Sequence, residues 1–344
     1  MSRLLARWAE CTFWLARYVE RAENLARILE VQEVFARDLR GSADWKVVLD
    51  INADTERFLA AHPEGATADA VLRFYLVDRD NPTSILCDLR AARENARQLR
   101  PLISTELWTH LNVFYNRVAA LLPAEVGEHR LARLCAMIKE GCQTHAGIAA
   151  GTLYRDEAWS FAQLGAAIER ADQTTRLLDA KLLAFAARED EEPGSAADAF
   201  YWMAVLRAAA GYQAFRRRHA HGLEPRQVAT FLLCDASFPR SVAANLGIVS
   251  AELERLRRRY RLRRAAEVLE RVEGLTTLLE PRPLEKVMAR EQGLHELADA
   301  LQRGLATVAL DLAERFFGWA PMPTEGRPTA GPAQGQTTAG PASG

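Results

Sequence analysis

The sequence lacks long apolar runs and any sign of an export signal. No stretch approaches the roughly 20 consecutive apolar residues that cross a bilayer. Residues 1–24 contain early acidic residues, no uninterrupted apolar core and no small-residue cleavage site. The five cysteines are odd in number and form no C-x-x-C pair, which favours reduced thiols. These absences predict a cytoplasmic protein without a membrane span.

A strong net charge and the common catalytic motifs are missing as well. The formal net charge is −1, so no overall field attracts nucleic acid or a membrane surface. The sequence contains no G-x-S-x-G, P-loop or G-x-G-x-x-G motif. The run Arg255–Arg264 is strongly basic, but glutamates flank it, so we expect an exposed face or a docking surface for an acidic partner. We predict no nucleic-acid partner.

Helical periodicity runs through most of the chain, and the alternation typical of strands is missing. The pattern predicts an all-α fold, a large bundle of roughly ten helices. Residues 4–39, 45–60 and 197–219 are each predicted to form a single helix. A further helix is predicted to begin after the first two of these, with Asn81 as its N-cap and Pro82 as its first residue.

The predicted helices fall into two parts that we expect to pack into one body. Residues 1–187 form the first part, and residues 197–319 form the second. The charged and flexible stretch Glu189–Ser195 is predicted to connect them at the surface. Residues 320–344 contain almost no large apolar side chain, so a disordered tail is predicted.

One stretch of the first helix, Leu15–Leu29, returns 149 residues later as Leu164–Leu178. The repeat indicates an internal duplication. One departure is clear, since the second copy has Ala166 and Ala167 where the first has Arg17 and Tyr18. The matched polar positions are Glu20 and Glu169, Arg21 and Arg170, Glu23 and Asp172, Asn24 and Gln173, and Arg27 and Arg176.

The repeated polar faces have three interpretations, and the sequence leaves them open. Solvated ion pairs along each helix would contribute only about 0.3–0.5 kcal/mol each. Two faces packed against each other would instead form a buried network of arginines forked onto carboxylates. In a groove, the same groups would bind an anion while a desolvated glutamate acts as a base. No metal or cofactor is predicted, because carboxylate di-metal bundles need Glu-x-x-His pairs and none is present.

A second mixed block lies on the helix after Asn81 and Pro82. Arg93 and Asn95 belong to this block. We expect the helix to pack beside the helix that carries Glu20, and its polar side chains to complete one cluster with Glu20.

Four ordered blocks give the chain a family resemblance. They are residues 13–24, residues 80–85 with 90–97, residues 155–159 with 168–172, and residues 238–242. In these blocks the chain resembles the Alpha-E family, bacterial helical proteins named for an E-R motif, over about residues 1–319. The resemblance implies a neighbourhood of ATP-grasp-like and transglutaminase-like proteins, which form or cleave amide bonds, and it implies no assigned activity.

The resemblance therefore leads to two expectations about function. The first is a helical accessory or scaffold partner of an ATP-grasp-like ligase or transglutaminase-like peptide-modifying system, without turnover of its own. Its docking surface is expected around Phe13, Trp14, Arg257 and Arg258. The alternative is an enzyme or small-molecule binder that uses the paired Glu-Arg faces as an anion-binding, acid–base pocket. The oligomeric state does not follow from the sequence.

Overall fold

All regular structure in the described part of the chain is helical, which confirms the all-α prediction. The computed structural model describes residues 4–38, 44–186, 196–219, 222–290 and 292–320. None of the helices in these ranges is long and apolar enough to cross a membrane. The ranges contain fifteen α-helices: α1 Ala6–Asp38, α2 Lys46–Ile51, α3 Thr55–Ala61, α4 Ala68–Leu76, α5 Ile85–Gln98, α6 Thr105–Ala119, α7 Glu128–Thr152, α8 Glu157–Ala186, α9 Ala196–Ala208, α10 Tyr212–Arg218, α11 Pro225–Cys234, α12 Val242–Tyr260, α13 Ala265–Leu278, α14 Pro281–Met288 and α15 Gly293–Leu312.

Two stretches predicted as single helices are each broken by an alanine with positive φ. Ala53, at φ 55°, separates α2 from α3, and the break turns the carboxylate of Asp54 inward, where it accepts hydrogen bonds from Thr83 and Tyr75. Ala210, also at φ 55°, separates α9 from α10. Tertiary contacts at these two sites override the local helical pattern, and the two breaks account for two of the helices beyond the predicted ten.

The predicted N-cap Asn81 is wrong, because Ser84 caps α5. The Ser84 hydroxyl accepts from the backbone N–H of Cys87 at 3.2 Å and donates to the carbonyl of Asp78 at 2.6 Å. Asn81 instead donates to the carbonyl of Phe74 at 2.9 Å, which holds it in the turn before the helix. Asn81 therefore stabilises the buried turn before α5 and does not cap the helix.

The same cap geometry occurs at the start of α12. The Ser241 hydroxyl accepts from the N–H of Ala244 at 3.0 Å and donates to the carbonyl of Asp235 at 2.6 Å. Both serines thus bond the carbonyl six residues earlier and the N–H three residues later. The turns before α5 and α12 have the same local design.

Helices α1 and α8 run side by side in the same direction and form the centre of the fold. They approach most closely at Gly165, where an added Cβ would lie 2.2 Å from the carbonyl oxygen of Phe13. Further along, Arg17 and Arg21 of α1 reach Glu169 of α8. Only a residue without a side chain allows this approach of two backbones.

The surroundings of α1 correspond to those of α8. Helix α5 packs beside α1, as α12 packs beside α8. Helix α7 covers α1 and contacts α6, while α15 covers α8 and contacts α13. One cluster of buried apolar side chains extends from Ala9 to Phe317, so the described helices of both predicted parts contribute to the same core. The predicted connection Glu189–Ser195 and the predicted tail from residue 321 onward lie outside the described residues.

The contact at Gly165 predicts a strong effect of one methyl group. We expect Gly165→Ala to lower the free energy of unfolding by at least about 1–3 kcal/mol, because a backbone carbonyl cannot move aside as a flexible side chain does. Thermal or denaturant unfolding measures this change. Gly247→Ala in α12 is the control, since no described atom outside its own stretch of helix lies within 4 Å of its added Cβ. The helix propensity of alanine should stabilise this variant by about 0.5–1 kcal/mol. Equal effects of the two changes would contradict the close approach.

Candidate functional site

The two Glu-Arg dipeptides meet across the α1–α8 interface and pair reciprocally. Arg21 donates through Nε and Nη2 to the two oxygens of Glu169, at 2.8 and 3.1 Å. Arg170 donates through the same two atoms to Glu20, at 3.0 and 2.6 Å. Each pair is a two-point fork, the strongest geometry for these groups. Among the three interpretations, the observed arrangement is a network between the two helices.

Two further arginines complete the coordination of the glutamates, and sequence reasoning missed both of them as site residues. Arg17 donates to Glu169 at 2.8 Å. Arg240, from the turn before α12, donates to Glu20 at 2.9 Å, to Glu23 at 2.9 Å and to Asn24 at 2.6 Å. In the sequence, Arg240 belongs to the block of residues 238–242, which resembles the family. The block did not indicate which side chains Arg240 would contact.

The remaining motif residues pair along their own helices. Arg27 donates to Glu23 at 2.6 Å, and Arg176 donates to Asp172 at 2.7 Å. Both are pairs four residues apart, at matching positions of the two copies. Gln173, the counterpart of Asn24, donates to Glu169 at 3.2 Å.

Burial and the facing arginines act in opposite directions on the two central glutamates. Burial by itself raises the pKa of Glu20, but Arg170 and Arg240 outweigh it and hold the pKa below its usual range. Burial likewise raises the pKa of Glu169, but Arg21 and Arg17 outweigh this effect, so the pKa of Glu169 also lies below its usual range. Both side chains are therefore carboxylates at neutral pH, and their lone pairs already accept from guanidinium groups. A carboxylate in this state is a weak general base.

One buried carboxylate beside the network has no such partner. Asp88 of α5 is fully buried, and neither of its oxygens has a hydrogen-bond partner in the described part of the chain. The nearest cation, Nη1 of Arg21, lies 4.0 Å away. Burial raises the pKa of Asp88 well above its usual range, with Arg21 opposing the rise.

The position on α12 that corresponds to Asp88 holds Asn245. Asn245 is also fully buried, but its amide donates to the carbonyls of Pro239 at 3.0 Å and Ser241 at 2.7 Å. These acceptors lie six and four residues earlier in the chain. Asp88 has the same carbonyls in the same turn and, as a carboxylate, cannot donate to them.

The second polar block lies apart from the Glu20 network. Helix α5 does pack beside α1. However, Arg93 donates to Asn112 of α6 at 2.7 Å and stacks over Trp108 and Tyr115, and Asn95 is half-buried on the same helix. The expected contribution of Arg93 to the Glu20 cluster is therefore corrected, because two aromatic side chains of α6 hold its guanidinium on the other side of α5.

The expected docking residues differ in their surroundings. Phe13 is completely buried and packs against Phe317, so its expected place on a docking surface is wrong. Trp14 is half-buried and stacks on Trp319. Arg257 and Arg258 are exposed at the end of α12, and both donate to Glu254.

A cavity of about 260 Å³ lies beside the α1–α8 pair. Glu20, Glu23 and Arg170 are among its lining residues, whereas Arg21 and Glu169 are not. Most of its wall is apolar and comes from α1, α7, α8 and the turn between α5 and α6. His145 and Cys142 of α7 also line it. The sequence signal for this cavity was the departure at Ala166 and Ala167, where the second copy has small side chains.

The comparisons with known proteins give one family and three uncharacterised relatives. The Alpha-E model, described as a predicted alpha-helical domain with a conserved ER motif, matches residues 4–317. An uncharacterised protein of Mycobacterium bovis and two of Mycobacterium tuberculosis are each 27% identical over 325 residues, which is 88% of this chain. The chain spans 35% of the length of these curated relatives. No solved structure is significantly similar.

The paired network predicts a large loss of stability when one partner is removed. Glu169→Gln removes the buried carboxylate that Arg17 and Arg21 share and leaves Arg21 only the distant Asp88 at 4.0 Å, so we expect about 3–5 kcal/mol less free energy of unfolding. Glu254→Gln is the matched control, since Glu254 also accepts from two arginines but at the surface, and it should change stability little. Denaturant unfolding at neutral pH measures both variants.

The depressed pKa values also set the sign of the pH dependence. Stability from Glu20 and Glu169 is present above the ordinary glutamate pKa of 4.5 and is lost as pH falls towards their lower folded values. Unfolding measured between pH 6 and 3 should therefore steepen below about pH 4.5, and Glu169→Gln should flatten the curve. A parallel curve for wild type and variant would contradict the buried pairing.

Asp88 predicts the opposite sign. Its raised folded pKa means that stability falls as pH rises above 3.8, its ordinary value, because ionisation is penalised only in the folded state. Asp88→Asn should raise the free energy of unfolding at pH 7 by about 1–3 kcal/mol, since the amide can donate where Asn245 does. The gain should shrink towards pH 4.

The reciprocal change Asn245→Asp is the control for this prediction. It removes both donated hydrogen bonds and buries a carboxyl group, so we expect it to destabilise at pH 7. A loss of stability in Asp88→Asn would show that attraction to Arg21 outweighs the burial of Asp88.

Proposed function

Since the chain belongs to the Alpha-E family, we propose that it is a helical accessory or scaffold partner of an ATP-grasp-like ligase or transglutaminase-like peptide-modifying enzyme. The observation that carries this proposal is the internal use of the motif. The side chains best suited to catalysis, Glu20 and Glu169, are bound by arginines of the same chain and have lowered pKa values. A motif that holds two helices together supports a structural unit that works with a separate catalytic protein.

The length of the relatives supports the same proposal. The matched region makes up 35% of each mycobacterial protein, so in those proteins it is joined to a longer remainder. A helical unit that makes up the smaller part of a longer chain is suited to act beside another domain. We further propose that the chain acts in the cytoplasm.

The basic end of α12 is the docking face that we propose for the catalytic partner. Arg257 and Arg258 are exposed, and Glu254 neutralises only part of their charge. A neighbouring depression is lined by Arg261 and Arg263, with further basic side chains around it. This face suits an acidic surface on the partner, because charged rims accelerate association and orient the two proteins.

The matched surroundings of α1 and α8 support an internal duplication. Reciprocal Glu-Arg pairs, repeated serine caps and corresponding neighbours are what two copies of one helical unit would produce. We propose that the accessory protein arose in this way, with the two motif helices forming the contact between the copies.

Ligand binding beside the Glu20–Arg170 pair is a second candidate function, and the cavity there favours it. An acid–base role for this pocket has less support. Arg170 already forks onto Glu20, and the lowered pKa of Glu20 makes it a weak base. Titration with acetate and with inorganic phosphate, compared with Arg170→Gln, tests the anion-binding form of this candidate.

Capture of partner proteins tests the accessory role. We expect the purified chain to retain the ATP-grasp-like or transglutaminase-like protein encoded beside it and to show no ATP-dependent ligation alone. Arg257→Gln with Arg258→Gln should weaken capture about tenfold at low salt, and the difference should shrink as ionic strength rises. Binding affinity and ligation rate are measured with and without the chain.

A matched control separates this face from net charge. Arg117 and Arg133 are exposed on α6 and α7, so their double replacement by glutamine removes the same charge from another surface. We expect that variant to bind as the wild type does. Turnover by the chain alone, or equal weakening by both double variants, would overturn the proposed role or the proposed face respectively.

A further inference from the structure

The cavity beside Glu20 exists because α8 carries small side chains where α1 carries large ones. Ala162 and Ala166 of α8 line it. In the register set by the two motifs, these positions correspond to Phe13 and Arg17 of α1. The exchange of a phenyl ring and a guanidinium for two methyl groups leaves space on one side of the helix pair.

The corresponding space on the other side of the pair is filled by aromatic side chains from the end of the described chain. Phe317 packs against Phe13 and Phe161, with ring centres 5.4 and 5.8 Å apart. Trp319 stacks on Trp14 at 6.5 Å. A peptide segment with aromatic side chains therefore completes this side of the fold.

The cavity wall includes a buried polar group that the fold itself does not use, the side chain of His145. His145 is 5% exposed and lines the cavity, and its buried Nδ1 has no hydrogen-bond partner among the described residues. Burial lowers the pKa of His145 to about 4, so the imidazole is neutral at physiological pH. A neutral imidazole has one nitrogen that accepts a hydrogen bond, and leaving it unsatisfied in an apolar site is costly.

The volume of the cavity matches one aromatic ring. An engineered apolar cavity of about 150 Å³ binds benzene. The 260 Å³ here leaves room for the larger rings of tyrosine and tryptophan, but it is below the roughly 300–1,000 Å³ typical of sites for drug-sized ligands.

We propose that this cavity binds the aromatic side chain of a peptide, tyrosine or tryptophan, whose O–H or N–H donates to the imidazole of His145. The apolar wall takes the ring, as Phe13 and Phe161 take Phe317 on the opposite side. The proposal is independent of the partner assignment, because it concerns a different face from Arg257 and Arg258.

Binding of side-chain analogues to the wild-type chain is the first test. We expect p-cresol and 3-methylindole to bind about fivefold to tenfold more tightly than toluene, since only they donate a hydrogen bond. Calorimetric titration measures the three affinities. Equal affinities for p-cresol and toluene would overturn the role of His145, and no binding of any analogue would overturn the site.

Two variants then locate the site. His145→Phe keeps a ring at the wall but removes the acceptor, so the preference for p-cresol over toluene should fall to about one. Ala162→Phe restores the side chain that α1 has and should abolish binding of all three analogues. Ala251→Phe, at an exposed position of α12, is the matched control and should bind as the wild type does. Undiminished binding by a folded Ala162→Phe variant would place the ligand elsewhere.

Competition with short peptides tests whether the cavity binds a ring that belongs to a peptide or only a free aromatic molecule. A blocked Gly-Tyr-Gly peptide should compete with p-cresol, and a blocked Gly-Ala-Gly peptide should not. If p-cresol binds and the tyrosine peptide does not compete, the site accepts free aromatic molecules and the proposed peptide ligand is wrong.

Discussion

The burial of two glutamate–arginine pairs between α1 and α8 is the constraint on which the other features depend. A buried carboxylate is tolerated only where a cation and hydrogen-bond donors meet it at the right distance. Glu20 and Glu169 satisfy this condition only in one alignment of the two helices. A shift by one residue would turn both pairs apart and leave charges unpaired in the interior. The network therefore selects the parallel alignment in which Gly165 can lie against Phe13.

Elements that are distant in sequence attach to this pair through the same charges. Arg240 reaches three side chains of α1 from the turn that starts α12, and Gln143 of α7 approaches Glu23 at 3.4 Å. The serine cap at Ser241 fixes the turn that carries Arg240. Buried ionic groups add little net stability over apolar packing, but they penalise wrong arrangements strongly. We therefore infer that the motif contributes mainly to specificity of helix assembly.

Sequence reasoning found the helices and the motif copies because both depend on local periodicity. It could not place residues whose roles depend on contacts distant in the chain. Phe13 was expected on a docking surface and Arg93 beside Glu20. However, Phe317, beyond the end of α15, covers Phe13, and aromatic residues of α6 hold Arg93. Arg240 lies 220 residues from Glu20, and no spacing rule connects them. The repeat itself was the exception, since two matching faces suggested a mutual contact.

The difference between the two sides of the helix pair bears on function more directly than their likeness. Corresponding helices surround both sides. On one side, the space between these helices is filled by side chains of the chain itself, those of Phe13, Arg17 and Phe317. Unfilled apolar space and an unsatisfied histidine both lower stability. Under the proposed duplication, the small side chains of α8 therefore lack the stabilising packing that the larger side chains of α1 provide in the other copy. Such a loss is accounted for if a group from outside the fold completes the second side, as Phe317 completes the first.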